Sequence, residues 1–336
     1  FLLSLLGAMV ALSSCRKEEE IIPSSRVRVG VPGRPGKIKG FFLLNEANMG
    51  SNKATLDYYD YTTAFYTRNI YAERNPNVVK ELGDVGNDLQ IHGSRLYAVI
   101  NVSGLIEVMD VRTAKHIGKL SIPNCRYIAF KDGFAYVSSY AGPIKIDPNA
   151  RLGYVAKVDT APLKVVAECP VGYQPEELLI QGDKLYVANS GGYRAPNYDK
   201  TISIIDLKTF TEEKQVDVAI NLHRLQLDNY GKIWVSSRGD YKDVPSQLFV
   251  FDPKTERVTK TLEVACSNMA LSGDSLFVYS SEWSYLTGKN TISYTVIDTK
   301  KQEVIDRNFI KDGTDKEIQL PYGLAINSEQ GELYLT

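Results

Sequence analysis

The residues best suited to catalysis or metal binding are sparse in this chain. It contains three histidines and four cysteines. None of the histidines stands in a metalloprotease, nucleophile-elbow or Cys–His motif, and the cysteines lack the spacing of a zinc site. No phosphate-binding loop or dinucleotide-binding glycine pattern occurs, and the scattered carboxylates single out no acid–base pair. The sequence therefore predicts no catalytic residue, no metal site and no cofactor.

Side chains that recognise ligands are, by contrast, abundant between short apolar runs. Asparagine and glutamine pair with amides, arginine pairs with anions, and tyrosine and tryptophan cover apolar surfaces while keeping a polar tip. Such residues on loops that a rigid scaffold holds are typical of binding sites. The candidate ligand-binding residues are Asn48, Ser51, Asn52, Asn87, Tyr140, Tyr173, Gln174, Tyr193, Arg194, His223, Arg224, Arg238, Trp283, Tyr285 and Tyr322.

The scaffold that must position these residues is clearest between Tyr173 and Val218. This stretch holds four short apolar runs, which are rich in β-branched and aromatic residues and are bounded by glycine, aspartate and asparagine. Such runs predict β-strands rather than helices. We name the four strands A to D in chain order. The unit is predicted to be a four-stranded antiparallel sheet.

The same unit recurs along the chain. Strand C ends in an aspartate in six copies, at intervals from 298−252=46 to 110−60=50 residues. A repeat of this length built from strands predicts the blades of a β-propeller. The aspartate is predicted to be structural, because its carboxylate can accept N–H groups of the C–D turn. The strand B aromatics are Phe42, Tyr97, Tyr136, Tyr186, Trp234, Phe277 and Tyr334, and the strand C aspartates are Asp60, Asp110, Asp159, Asp206, Asp252 and Asp298.

Seven copies predict an all-β fold, a seven-bladed β-propeller of four-stranded antiparallel blades over residues 38–336. The first copy has no strand A before it, and the last copy stops inside strand B at Thr336. We therefore expect the last blade to be truncated in this sequence and the natural chain to continue. With strand A innermost, the B–C loops and D–A connections emerge on one face, which would collect the candidate residues.

The N-terminus has a separate organisation. Residues 1–12 are apolar but too short to span a membrane. Leu12-Ser13-Ser14-Cys15 resembles a bacterial lipobox, and the RKEEE segment that follows resembles the surface-export signal of Bacteroidetes lipoproteins. We predict a signal peptide over 1–14, lipidation of Cys15 and a flexible tether over 15–37. The protein is then expected at the outer membrane, exposed on the cell surface.

Charge and the remaining cysteines narrow the partners further. The net charge is −1 and no basic stripe occurs, so the sequence does not predict nucleic acid as a partner. Cys125, Cys169 and Cys266 fall in different copies of the repeat. We predict that these three act as small packing residues.

Several segments resemble known families. GDKLYVAN and IIDLKT resemble the repeats of YVTN-type propellers, a class that includes surface-layer proteins and shares its architecture with quinoprotein amine dehydrogenase-like propellers. The lipobox with RKEEE and the first-copy segment LLNEANMGSNKATLDYYDY resemble the BtuG-type cobalamin-binding surface lipoproteins of Bacteroidetes. Asn48, Ser51 and Asn52 lie in that segment.

The second resemblance implies a non-catalytic function. The chain would capture cobalamin or a related corrinoid on its loop-rich face and deliver it to an outer-membrane TonB-dependent transporter, and His223 could coordinate the cobalt. Two alternatives stay open. One is a surface propeller that binds a protein or a glycan. The other is an enzyme on the quinoprotein-like scaffold. The sequence shows no recognisable acid, base or metal constellation, which counts against this alternative.

Overall fold

The computed structural model of the protein describes residues 22–33, 36–78, 81–284, 288–310 and 320–336. Its short strands are joined by tight turns. The predicted signal peptide, Cys15 and Tyr285 lie outside these residues. Within them the chain forms six four-stranded antiparallel sheets, one two-stranded sheet and one short helix. The prediction of an all-β propeller with four-stranded antiparallel blades is confirmed.

The first three sheets occupy the N-terminal half. The first holds β1 (Ser25–Arg28), β2 (Gly40–Asn45), β3 (Thr55–Asp60) and β4 (Phe65–Arg68) in the order β1-β4-β3-β2, and helix α1 (Ile70–Arg74) follows it. The second holds β5 (Gly86–His92), β6 (Arg95–Ile100), β7 (Leu105–Asp110) and β8 (His116–Ser121). The third holds β9 (Cys125–Lys131), β10 (Phe134–Ser139), β11 (Tyr154–Asp159) and β12 (Lys164–Pro170).

In the next three sheets, as in the second and third, the strands lie side by side in chain order. The fourth holds β13 (Pro175–Gln181), β14 (Lys184–Asn189), β15 (Thr201–Asp206) and β16 (Thr211–Asp217). The fifth holds β17 (Leu222–Leu227), β18 (Ile233–Ser237), β19 (Gln247–Asp252) and β20 (Arg257–Leu262). The sixth holds β21 (Asn268–Ser272), β22 (Ser275–Ser284), β23 (Lys289–Asp298) and β24 (Glu303–Asp306), and the two-stranded sheet pairs β25 (Leu324–Asn327) with β26 (Glu332–Leu335).

The predicted number of blades is wrong. The described residues contain six four-stranded blades, and the seventh copy of the repeat forms only the hairpin of β25 and β26. A complete blade needs a strand C with its terminal aspartate, and Asp298 in the sixth blade is the last such residue. The hairpin still closes the ring on the first blade, because Tyr334 packs on Phe41 with ring centroids 4.6 Å apart. Glu329 adds a hydrogen bond of 3.0 Å from the Ile38 N–H.

The core lies between neighbouring blades. The strand B aromatics Tyr97, Tyr136, Tyr186 and Trp234 are almost fully buried. Tyr97, for example, packs in one cluster with residues of the third blade such as Val137. The three cysteines beyond residue 100 are free and buried, which confirms that they act as packing residues.

The C–D turns are built by the predicted aspartates. In all six complete blades the Asp Oδ1 accepts a backbone N–H from two or three residues further along, as Asp206 does from Lys208 at 2.8 Å. The residue four positions after each aspartate has a positive φ, although none is glycine. This matches a type I turn followed by a left-handed residue, one of the common hairpin loops. The prediction of a structural role is confirmed.

The N-terminal segment is more ordered than predicted. Residues 22–33 do not form a free tether, because β1 pairs with β4 and adds an outer strand to a first blade that lacks strand A. Buried Asn69 fixes the start of this segment: its Nδ2 donates to the Ile22 carbonyl at 2.8 Å, and its own carbonyl accepts from the Ser24 hydroxyl at 2.9 Å. The Tyr59 hydroxyl donates to the Val29 carbonyl further along.

Replacing Asn69 with alanine should release β1. The change removes a buried amide that caps α1 and holds Ile22, and it places alanine at a φ of 48°. We expect the free energy of local opening at β1 to fall by about 1–3 kcal/mol. Amide hydrogen exchange should accelerate at Val27 and Val29, whose N–H groups face β4, while the amides of β17 keep their protection. Unchanged exchange in β1 would contradict the role assigned to Asn69.

Candidate functional site

The two faces of the propeller differ in what they carry. The first strands of successive blades pack against one another and are therefore innermost. With the strand order A-B-C-D, the B–C loops and D–A connections share one face, which we call the loop face. Each of the six blades presents an exposed apolar or aromatic side chain in its B–C connection. These residues are Met49, Val102, Ile146, Tyr193, Tyr241 and Trp283.

The centre of the loop face is lined by pairs of residues at the start of each inner strand. The residues nine and ten positions before the strand B aromatic are polar or charged in five successive blades, with the fifth blade shifted by one position to ten and eleven. Sequence reasoning did not select Tyr127, Glu176 or Glu177 as site residues, although this alignment of the repeats would have identified them. The pairs are Asn87–Asp88, Arg126–Tyr127, Glu176–Glu177, His223–Arg224 and Ser267–Asn268.

Glu176 is the hub of this central cluster and is only 1% exposed. Its Oε2 accepts two hydrogen bonds from Arg126, from Nε at 3.0 Å and Nη2 at 2.8 Å. Its Oε1 accepts from the Tyr140 hydroxyl at 2.5 Å and from Arg238 Nη1 at 3.2 Å. Burial alone would raise the pKa of Glu176, but the two arginines and Tyr140 outweigh it and hold the pKa below the ordinary value. Glu176 is therefore a carboxylate.

A second set of charges continues the cluster into the fifth and sixth blades. Arg224 donates to Asn268 Oδ1 from Nε at 3.0 Å and Nη2 at 2.6 Å. Glu177 accepts the Leu225 N–H at 2.8 Å and lies 3.6 Å from Arg224 Nε. Asp88 accepts the Ile128 N–H at 3.0 Å. Burial raises the pKa of both Glu177 and Asp88.

His223 belongs to the same cluster and is not positioned as a free metal ligand. Its Nε2 lies 2.9 Å from the Tyr127 hydroxyl, and its Nδ1 is buried without a partner. Burial, reinforced by Arg238 and Arg224, lowers the pKa of His223 well below its ordinary value, so the ring is neutral. No group of three or more His, Cys, Asp or Glu residues in the described part of the chain could hold a metal ion.

Four further predicted residues join the third and fourth blades on the loop face. Gln174 is buried, and its Oε1 accepts the Tyr193 N–H at 2.7 Å. The Arg194 guanidinium lies over the Tyr173 ring, 3.5 Å from its centroid. The Tyr193 carbonyl accepts from the Asp147 N–H at 2.8 Å, and its ring is exposed. Of these four, Tyr193 is the one whose side chain is exposed to a ligand.

A cleft of about 340 Å³ opens beside this junction. Tyr140 and Gln174 form its inner end, while Lys145 and Arg151 bring positive charge and Asp147 brings a carboxylate. This volume is at the lower end of the range of about 300–1,000 Å³ that is usual for small-molecule sites. The cleft can therefore hold one small polar group but not a whole corrinoid.

The first-blade residues form a turn rather than a pocket. The Ser51 N–H donates to the Asn48 carbonyl at 3.0 Å, and Asp84 accepts from the N–H groups of Gly50 and Asn52. Asn48 is exposed, whereas Ser51 and Asn52 are half-buried. Asn87, also predicted for the site, donates from Nδ2 to the Arg126 carbonyl and thus supports the central cluster.

Two aromatic residues stand at the rim. In the sixth blade β22 runs to Ser284 and β23 begins at Lys289, so the B–C connection is a long β-hairpin. Trp283 pairs with Asn290 near its end and is 46% exposed. Tyr322 is 64% exposed, and its carbonyl accepts from Asn268 Nδ2 at 3.4 Å.

The predicted residues therefore separate into two groups with different uses. The central cluster contains Tyr140, His223, Arg224 and Arg238, whose polar atoms are largely paired within the protein and which stiffen the face. Around it lie groups that remain available to a partner. The exposed members of the predicted set among the described residues are Asn48, Tyr193, Trp283 and Tyr322.

The fold defines the class of protein: an all-β propeller with four-stranded antiparallel blades and one loop-rich face. The chain belongs to the DUF5074 family, a domain of unknown function, whose family model matches residues 39–336. No curated protein matches the chain. Across the described residues, no helix is long and apolar enough to cross a membrane.

Solved structures support the fold alone. One of them, Kuenenia stuttgartiensis hydrazine synthase, is similar with a TM-score of 0.60 and 19% sequence identity, over 72% of this chain and 70% of that chain. At this identity the likeness extends to the propeller architecture and not to chemistry.

Replacing Glu176 with glutamine should destabilise the fold strongly. The change leaves Arg126 and Arg238 buried without a carboxylate, and removing one partner of a buried pair costs about 3–5 kcal/mol. The matched control is Glu168→Gln on the exposed outer strand β12, for which we expect a change within about 0.5 kcal/mol. Urea unfolding measures both. A loss below about 1 kcal/mol for Glu176→Gln would contradict its place as hub.

The neutral His223 should make stability depend on pH. The unfolded chain takes up a proton on this histidine near pH 6.5, but the folded state does not until much lower pH. The contribution of His223 to the free energy of unfolding is therefore constant above about pH 6.5. Below pH 6.5 it falls by up to about 1.4 kcal/mol per pH unit. His223→Asn should remove this slope between pH 6.5 and 5, and His92→Asn should keep it. An unchanged slope in His223→Asn would refute the assignment.

Proposed function

We propose that this protein is a cell-surface binding lipoprotein that captures cobalamin or a related corrinoid and delivers it to an outer-membrane TonB-dependent transporter. The observation that carries the binding role is the loop face, on which every complete blade adds an exposed apolar or aromatic group around a rigid polar centre. The corrinoid rests on the resemblance of the first-blade segment that contains Asn48, Ser51 and Asn52.

The chemistry of the face suits a wide, flat, amphipathic ligand. A corrinoid presents an apolar ring plane, a fringe of amides and a phosphate. Tyr193, Trp283 and Tyr322 offer aromatic surface, and Asn48 offers an amide at the edge. Because the cleft beside Gln174 is smaller than the ligand, the ligand would lie across several loops and place only one substituent in the cleft.

Binding rather than catalysis is favoured by the state of the central cluster. Glu176, the hub of the cluster, is paired with Arg126 and Arg238. Its carboxylate is therefore not free to act as an acid or a base toward a ligand on the loop face. A paired, nearly immobile polar centre is suited to holding loops in fixed positions, which lowers the entropic cost of ordering them on binding.

Attachment to the membrane is part of the proposal. Cys15 follows an apolar leader with a lipobox-like end, and acyl chains on that cysteine would hold the propeller at the outer membrane. A propeller held there could pass its ligand directly to a transporter in the same membrane.

A second candidate is a surface protein that binds a glycan or another small polar ligand. The observation that favours it is the cleft with Lys145, Asp147 and Arg151, whose volume fits a single small polar unit. Titration with corrinoids and with glycans separates the two candidates.

Calorimetric titration with cyanocobalamin tests the proposal. We expect one-to-one binding that Tyr193→Ala or Trp283→Ala weakens by about 1–2 kcal/mol each, because each change removes exposed aromatic surface that the ligand would cover. Tyr230→Ala is the matched control, because Tyr230 is equally exposed but lies in an A–B turn on the opposite face. An absence of heat with cyanocobalamin would contradict the corrinoid, and heat with a glycan would support the second candidate. Equal weakening by Tyr230→Ala would contradict the choice of face.

A further inference from the structure

The outer edge of the first blade differs from the edges of the other blades. It is formed by a strand from outside the repeat, β1, which pairs only with β4 among the described residues. All four residues of β1 are exposed. Arginine and valine alternate along Arg26–Val29, and the guanidiniums of Arg26 and Arg28 lie over the Phe65 ring at 4.2 and 5.3 Å.

This edge combines positive charge with exposed apolar groups. Arg26, Arg28 and Arg68 are exposed there without an acidic partner among the ion pairs of the described residues. Val27, Val29 and Val31 are also exposed, and Val31 reaches 83%. Arginine beside small apolar side chains fits the boundary between anionic headgroups and acyl chains.

The length of chain before this edge restricts where it can lie. Ile22 lies seven positions after Cys15 (22−15=7), and it is fixed to the first blade through Asn69. Seven extended residues span at most about 25 Å. If Cys15 is acylated, Ile22 must therefore lie within about 25 Å of the bilayer. The strand β1 begins only three residues later (25−22=3).

We propose that the outer edge of the first blade, formed by β1 with Arg68, is the surface on which the anchored protein contacts the membrane. This inference rests on the proposed lipidation of Cys15 but not on the identity of the ligand. It orients the propeller with one blade edge against the headgroups, so that the propeller axis runs along the bilayer and the loop face stands perpendicular to the bilayer.

Fluorescence quenching by the bilayer tests the orientation. The acylated full chain is placed in vesicles of phosphatidylcholine and phosphatidylglycerol with a quencher on the headgroups. A fluorophore is attached at Val31→Cys or, as the matched control, at Ile305→Cys, an exposed residue of β24 on the outer edge of the sixth blade. The three other cysteines are buried and should not react. We expect quenching at least threefold stronger for the Val31 label.

Charge reversal supplies a second measurement. Arg26→Glu combined with Arg28→Glu should reduce quenching of the Val31 label at least twofold, while Arg257→Glu on β20 should leave it unchanged. Equal quenching at both label positions would overturn the proposal. A doubled mass in sedimentation without vesicles, together with an unquenched Val31 label, would also overturn it by showing that β1 pairs with a second copy.

The preparation also separates this proposal from the proposed function. Mass spectrometry of the same sample shows whether Cys15 carries acyl chains, and an unacylated Cys15 would overturn the membrane contact. Cyanocobalamin binding is measured independently on that sample. Quenching at Val31 without corrinoid binding would therefore support the membrane contact and contradict the corrinoid.

Discussion

The pairing of buried Glu176 with Arg126 and Arg238 is the interaction on which the loop face depends. The three side chains come from the fourth, third and fifth blades, so the charges can be compensated only when these blades sit in register. A buried charge without its partner is strongly unfavourable, which makes the cluster a device for fixing geometry as well as a local contact. Arg224 and Asn268 extend the same requirement to the sixth blade.

A fixed centre explains how long connections can serve as a binding surface. Loops that start from β10, β14 and β18 are held at their bases by hydrogen bonds, such as the buried one from the Ser190 hydroxyl to the Gln174 carbonyl. Their tips carry the exposed aromatic groups. The opposite face has only tight turns built around aspartates such as Asp206, which leave little surface for a partner. Rigid bases with exposed tips are the arrangement that allows a large ligand to bind without ordering the protein first.

The features that sequence predicted correctly are those set by local chemistry. The aspartate turns and strand B aromatics depend on a few neighbouring residues, so their positions and roles could be read from the repeat. The repeat marks the positions of the central cluster but could not show its pairing, because Glu176 meets Arg126 only after strands some fifty residues apart become adjacent. The strand β1 was missed because a composition rich in proline, glycine and serine indicates a tether, whereas its pairing with β4 is a tertiary contact. Seven copies of the repeat were predicted, the last stopping inside strand B, and the described residues complete six four-stranded blades while that last copy forms a hairpin.

Hydrogen exchange with and without cyanocobalamin tests the central claim, that a ligand binds on the loop face over a preorganised centre. The account predicts new protection in the B–C and D–A connections around Tyr193, Trp283 and Tyr322. It predicts little change in the inner strands, because they are already protected when the ligand is absent. The A–B and C–D turns should exchange at the same rate in both samples. Protection confined to those turns, or no change anywhere in the chain, would contradict the account.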